Sequence, residues 1–111
     1  MLEKEEILSS FLLELRRGTI TICVLANLKE AKYGYSLIAD LSDTGISIEA
    51  NTLYPLLRRL EGQGLLESSW NTGGAKPRKY YITTDFGREM LAVLKQHWLS
   101  TAQNMERILE D

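Results

Sequence analysis

Apolar residues along the chain fall into a series of helical stripes separated by glycine- and serine-rich breaks. Leu8, Phe11, Leu12 and Leu15 recur at i, i+3, i+4 and i+7, one face of an α-helix, while Glu3, Glu5, Glu6 and Glu14 lie mostly off it. The spacing predicts a first helix over Leu2–Arg16, acidic at its start and basic at Arg16-Arg17, as the helix dipole favours. Gly18 is read as a break, with Thr19 capping a second helix to about Glu30. That segment opens β-branched, Thr19-Ile20-Thr21-Ile22, yet Ile20, Cys23, Val24 and Leu28 keep a helical period, which Asn27 interrupts. Tyr35, Ile38 and Leu41 mark a third helix ending at the turn cluster Ser42-Asp43-Thr44-Gly45.

The fourth helix is the most informative. Leu53, Leu56, Leu57 and Leu60 form an apolar seam, and Asn51, Pro55 and Arg58 lie opposite, with Thr52, Tyr54 and Arg59 on the flanks. A polar, arginine-bearing face on a helix pinned by its other side suits insertion into a DNA major groove. Gly62 or Gly64 stops it. Thr52 is read as its N-cap, which would put Pro55 in the first turn, where a missing N–H costs little. Two short strands, Leu65–Trp70 and Arg78–Thr83, flank the loop Asn71–Pro77 as a hairpin. A long final helix starts at Thr84-Asp85 and runs to about Leu109, where Leu94, Trp98, Thr101, Met105 and Ile108 keep the 4-3-4-3 rhythm of a coiled-coil seam. A helix that long in so small a domain implies a partner.

The predicted fold is therefore mainly α with a small β-hairpin, a winged helix-turn-helix with N- and C-terminal dimerisation helices. Residues 1–83 would form the N-terminal helix and DNA-binding domain, and 84–111 the C-terminal dimerisation helix. A chain of 111 residues is one domain's worth, with 44% hydrophobic residues and no apolar run long enough for a bilayer. The acidic N-terminus lacks a signal-peptide layout. Cys23 is alone, in an apolar run, and is expected as a buried, inert thiol in a reducing, cytoplasmic protein.

Charge qualifies the picture. The net charge of −2 does not advertise a nucleic-acid binder, but Ser47–Ile82 holds five basic and three acidic residues, so a basic face sits on an acidic body. The competing class is a winged-helix protein-interaction or dimerisation module without specific DNA binding. Arg58 has a plain alternative in a surface pair with Glu61 at i+3, and Arg59 in a salt bridge within the domain. Tyr80 and Tyr81 point to opposite faces of their strand, one to the core and the other outward as a phosphate hydrogen-bond donor or a rim residue. An enzyme finds little support: His97 and Cys23 lie in different segments, no CxxC spacing offers a metal site, and no cofactor is implied.

The string Tyr33-Gly34-Tyr35, then Asn51-Thr52-Leu53-Tyr54-Pro55-Leu56-Leu57-Arg58-Arg59-Leu60-Glu61, Gly64-Leu65-Leu66, Arg78-Lys79-Tyr80-Tyr81-Ile82-Thr83 and Gly87 resembles the PadR family of bacterial transcriptional regulators. The likeness covers about Thr19 to Leu94, and the single C-terminal helix resembles the short subfamily. The resemblance implies homodimeric winged-helix proteins, mostly repressors, that bind double-stranded DNA, some of them released by small aromatic effectors. It places Asn51, Thr52, Tyr54 and Arg58 on the recognition helix, Lys76, Arg78, Lys79 and Tyr80 on the wing, and Tyr35 and Ser36 at phosphate. Trp98 resembles the aromatic that effector-sensing relatives carry beside the dimer axis, where it either packs in the interface or stacks on an effector; Leu8, Phe11, Leu12, Leu15, Leu94, Trp98, Thr101, Met105 and Ile108 are expected to line that interface. The wing loop departs from the pattern in holding one charge, Lys76.

Overall fold

The computed structural model describes residues 3–110. Its elements are α1 (Lys4–Asn27), β1 (Lys32–Tyr33), α2 (Gly34–Asp43), α3 (Ala50–Gly62), β2 (Leu66–Asn71), β3 (Arg78–Thr83) and α4 (Asp85–Leu109). The expected fold class is the one observed, mostly helical with a small antiparallel sheet. The sheet has three strands in the order β1-β3-β2. Strand β1 pairs with β3 through Lys32 opposite Tyr81 and Tyr33 opposite Tyr80. It was absent from the sequence reading, and β2 begins one residue later than expected.

The first two predicted helices are one. α1 runs uninterrupted through Gly18, around which a Cβ would meet nothing within 4 Å. The Thr19 hydroxyl caps nothing; it donates back to the Arg16 carbonyl at 3.1 Å. What changes at Gly18 is the face. At about 100° per residue, Leu8, Phe11, Leu12 and Leu15 share one side of α1, while Ile20, Val24 and Leu28 share the opposite side and are buried. The sequence discontinuity is a change of side, and Leu2, the expected start, lies outside the described residues. Asn27, which breaks the apolar period, folds its amide onto its own helix and donates to the Cys23 carbonyl at 2.8 Å.

Helices α2 and α3 end alike. Gly45 and Gly64 adopt φ of 92° and 81°, a left-handed conformation that glycine reaches without Cβ strain. Beyond each, an N–H reaches back five residues, Ile46 to the Leu41 carbonyl at 2.8 Å and Leu65 to the Leu60 carbonyl at 2.9 Å. The glycine N–H groups bond to the Ser42 and Glu61 carbonyls, completing the Schellman pattern in both. Gly64, not Gly62, therefore stops α3.

The core is leucine-rich: Val24 and Leu25 from α1 and Leu28 at its C-cap, Leu37 and Leu41 from α2, Leu53, Leu57 and Leu60 from α3, with Leu66 and Tyr81 from the sheet. Leu56, Met90, Leu91 and Leu94 pack around it, partly buried. One threonine ties β3 to the end of α1. Buried Thr83 donates its hydroxyl to the Leu25 carbonyl at 2.9 Å and its N–H to the Leu28 carbonyl at 2.8 Å. Thr84 then caps α4, accepting from the Gly87 N–H at 2.9 Å and donating to the Gly64 carbonyl at 2.7 Å. A Cβ at Gly87 would collide with the Leu65 carbonyl oxygen and stand 2.6 Å from Thr83 Cγ2, so α4 starts this close to the α3 terminus only because residue 87 is glycine.

Candidate nucleic-acid interface

With Leu53, Leu57 and Leu60 buried, the remaining circumference of α3 divides into three parts. Asn51, Pro55 and Arg58 are exposed on the side away from the buried leucines, with Pro55 also at the edge of the cleft toward α1. Thr52 and Arg59 line one flank, a cleft of about 530 Å³ shared with Leu13, Arg17 and Ile20 of α1. Tyr54 and Glu61 occupy the other flank, facing α2 and the wing.

The N-cap of α3 is Glu49, not Thr52; the N–H groups of Thr52 and Leu53 both bond to the Glu49 carbonyl, at 3.0 and 2.9 Å. Pro55 consequently lies in the second turn, inside the helix. Its missing N–H is the one that would have met the carbonyl of Asn51 at i−4. Because Asn51 is on the exposed side, solvent can take that carbonyl.

Tyr54 is less free than its position suggested. A Cβ added to Gly34 would stand 2.6 Å from Tyr54 Cζ, so the ring lies against the start of α2 and Gly34 is the space it needs. The contact fixes the relative placement of the two helices of the helix-turn-helix. On α2, Tyr35 is exposed (74%) and Ser36 half-buried.

The wing has two chemically distinct faces. On one, the Arg78 guanidinium lies 4.6 Å from the centre of the Tyr33 ring, and Tyr33 meets Tyr80 edge to face at 5.6 Å. Both arrangements are favourable for a cation and for aromatic quadrupoles. Arg78 and Tyr80, with Asn71, Gly74, Ala75 and Lys76, line a concavity of about 400 Å³ under the loop. The loop is shaped by Asn71, whose side-chain carbonyl accepts from the Gly73 N–H at 2.9 Å. On the other face Tyr81 is buried (4%), which answers which tyrosine faces the core. Lys79, on that face, is 3.7 Å from the Glu61 carboxylate and over the rings of Tyr81 and Trp70, at 5.4 and 6.0 Å. Glu61 also accepts a hydrogen bond from Ser68. The alternative pair between Arg58 and Glu61 does not form, and among the described residues neither Arg58 nor Arg59 makes an ion pair.

A sequence profile of the transcriptional regulator PadR-like family matches residues 24–93, from the core half of α1 into α4. The chain belongs to the PadR family. It is 54% identical to a PadR family transcriptional regulator from Eggerthella lenta, whose crystal structure superposes with a TM-score of 0.90 over 96% of this chain and 95% of that one. A PadR-like regulator from Bacillus cereus is 30% identical, with a TM-score of 0.78 over 88% and 98% of the two chains. The transcriptional regulator Rv3488 of Mycobacterium tuberculosis is 33% identical over 79 residues, 70% of this chain and 74% of that protein. The chain is thus a winged-helix, DNA-binding transcriptional regulator, and its relatives are regulators rather than enzymes.

In this PadR chain the terminal helices carry the rest of the predicted site. Leu8, Phe11, Leu12 and Leu15 are all exposed, as are Trp98, Thr101, Met105 and Ile108 on α4. Leu94 differs from them, being partly buried against its own core. Trp98 closes an apolar cleft of about 310 Å³ with Thr19, Ile22, Cys23 and Ile46. Cys23 is half-buried rather than fully enclosed, and desolvation raises its thiol pKa above the ordinary value, which favours the unreactive thiol. No helix is long and apolar enough to cross a membrane, and no cluster of metal-ligating side chains occurs among the described residues.

Sequence reasoning missed Tyr33, Trp70, Ser68 and the partnership of Glu61 with Lys79. The first had a signal, its place beside Gly34 in an extended dipeptide. The others depend on register between β2 and β3, where Trp70 faces Lys79 and Ser68 faces Tyr81.

Proposed function

We propose that this PadR regulator is a homodimeric repressor that binds a pseudo-palindromic operator. The observation that carries the reading is the outward strip of α3, where Asn51, Pro55 and Arg58 stand clear of the core with the wing alongside. Asn51, Thr52 and Arg58 read base edges or position the helix, and Tyr54, on the flank of α3, braces the strip against Gly34 of α2. Tyr35 and Ser36 on α2, with Lys76, Arg78 and Tyr80 on the wing, meet phosphates; Lys79 stands beside them, paired with Glu61. Two copies joined through the exposed stripes of α1 and α4 present their recognition helices to major grooves about 34 Å apart. Phe11 at 58% and Leu15 at 71% exposure support a partner on α1. The apolar cleft beside Trp98 supports a small aromatic effector, which would release DNA to the extent that it binds the two arrangements of the dimer unequally. Bound across a promoter, such a dimer represses by excluding polymerase.

The test is selection of duplexes from a random DNA library by the purified protein and by Arg58→Ala. An inverted repeat enriched by the wild type, with specific binding weakened by about 1–3 kcal/mol in the variant, is expected for a bidentate base contact. No enrichment at low salt would instead favour a winged-helix interaction module.

A further inference from the structure

The wing-side flank of α3 carries an acid in a place where phosphates would repel it. Glu61 lies in the last turn of α3, three residues beyond Arg58. It accepts a hydrogen bond from Ser68 of β2 and pairs at 3.7 Å with Lys79 of β3. The Lys79 ammonium also stands over Tyr81 and Trp70, one ring from each strand. Both charged side chains remain 33% exposed, and an ion pair so open to water adds little to folding stability. Its consequence is geometric and electrostatic: it ties the end of α3 to both strands of the wing, and it occupies a cation that would otherwise be free.

We propose that Glu61 is a specificity-determining residue: it withholds Lys79 from the phosphate backbone and holds the wing at a fixed distance from the recognition helix. The inference rests on α3 being that helix. Non-specific affinity grows with the number of phosphates a protein neutralises, whereas discrimination depends on how phosphate contacts register the helix against base edges. Freeing Lys79 adds to the first, and loosening the wing subtracts from the second. Loss of the Glu61 charge therefore lowers the ratio of specific to non-specific binding from both directions.

Glu61→Gln tests this, because the amide keeps an oxygen for Ser68 and removes only the charge. Affinity is measured by fluorescence anisotropy over a salt series, on the duplex enriched from the random library and on a scrambled duplex of the same composition. For the scrambled duplex, affinity is expected to rise severalfold and the salt slope to steepen by about 0.9, one added phosphate contact. Lys79→Met should reduce that slope more in the Glu61→Gln background than in the wild type. Glu67→Gln is the control, since Glu67 is exposed, adjacent to Ser68 and on the other face of the sheet, opposite Ile82. An equal gain in Glu67→Gln would reduce the effect to net charge and overturn the proposal, as would an unchanged slope in Glu61→Gln. If Arg58→Ala loses discrimination while Glu61→Gln behaves as wild type, the recognition helix stands and this role for Glu61 falls. If neither variant differs from wild type on either duplex, both readings fall together.

Discussion

The two halves of α1 carry similar apolar side chains and meet opposite fates. Ile20, Val24 and Leu25 are buried, whereas Ile7, Leu8, Phe11, Leu12 and Leu15 are exposed. Hydrophobicity does not separate them; neighbours do. The C-terminal half lies among the other elements of the core, while α2, α3 and the sheet leave the N-terminal half uncovered. The far end of α4 repeats the pattern, with Trp98, Leu99, Met105, Ile108 and Leu109 exposed. One chain thus completes a winged-helix core and leaves two long helices with unmet apolar surface, the surface that the proposed dimer would cover with a second copy.

Three variants probe that contrast. The largest effect on folding is expected from Leu57→Ala, which empties a fully buried site and should cost about 2–5 kcal/mol in chemical denaturation. The exposed half should break differently. Phe11→Ser combined with Leu15→Ser should leave the winged-helix core folded by circular dichroism while raising the dimer dissociation constant more than about tenfold in sedimentation equilibrium, since each side chain covered by a partner contributes about 1.5–3 kcal/mol. A dimer unmoved by that pair would place the interface elsewhere. The smallest effect lies at the junction. Gly18→Ala meets open space and should raise the thermal midpoint, a gain of about 0.5–1 kcal/mol for replacing a mid-helix glycine. A loss there would mean that α1 needs to bend.

Elements held together by period and by local capping were legible in the sequence. Leu53, Leu57 and Leu60 announced α3, Thr84-Asp85 announced α4, and the glycine-rich loop announced the wing. Gly18 was misread because a helix tolerates one glycine at about 1 kcal/mol, and because the stripe that stops there resumes on the opposite side. Strand β1 has two residues, too few to show alternation, and exists because Tyr33 can lie beside Tyr80. Tyr54 had a legible position, but its packing against Gly34 depends on how α2 meets α3. Lys79 was legible as a wing cation, yet what occupies it comes from another element, eighteen residues away in the chain, and no local pattern encodes that.

The continuity of α1 also makes its length a setting of phase. Each residue turns the helix by about 100° and advances it about 1.5 Å. Removing one residue between Leu15 and Ile20 would swing the exposed stripe about 100° around the shaft while the core stayed where it was. Adding seven would bring the stripe back to within about 20° of its bearing, carried about 10 Å farther out. The bearing at which one domain offers itself to another is therefore kept by counting residues, as the teeth of a gear keep time between two wheels.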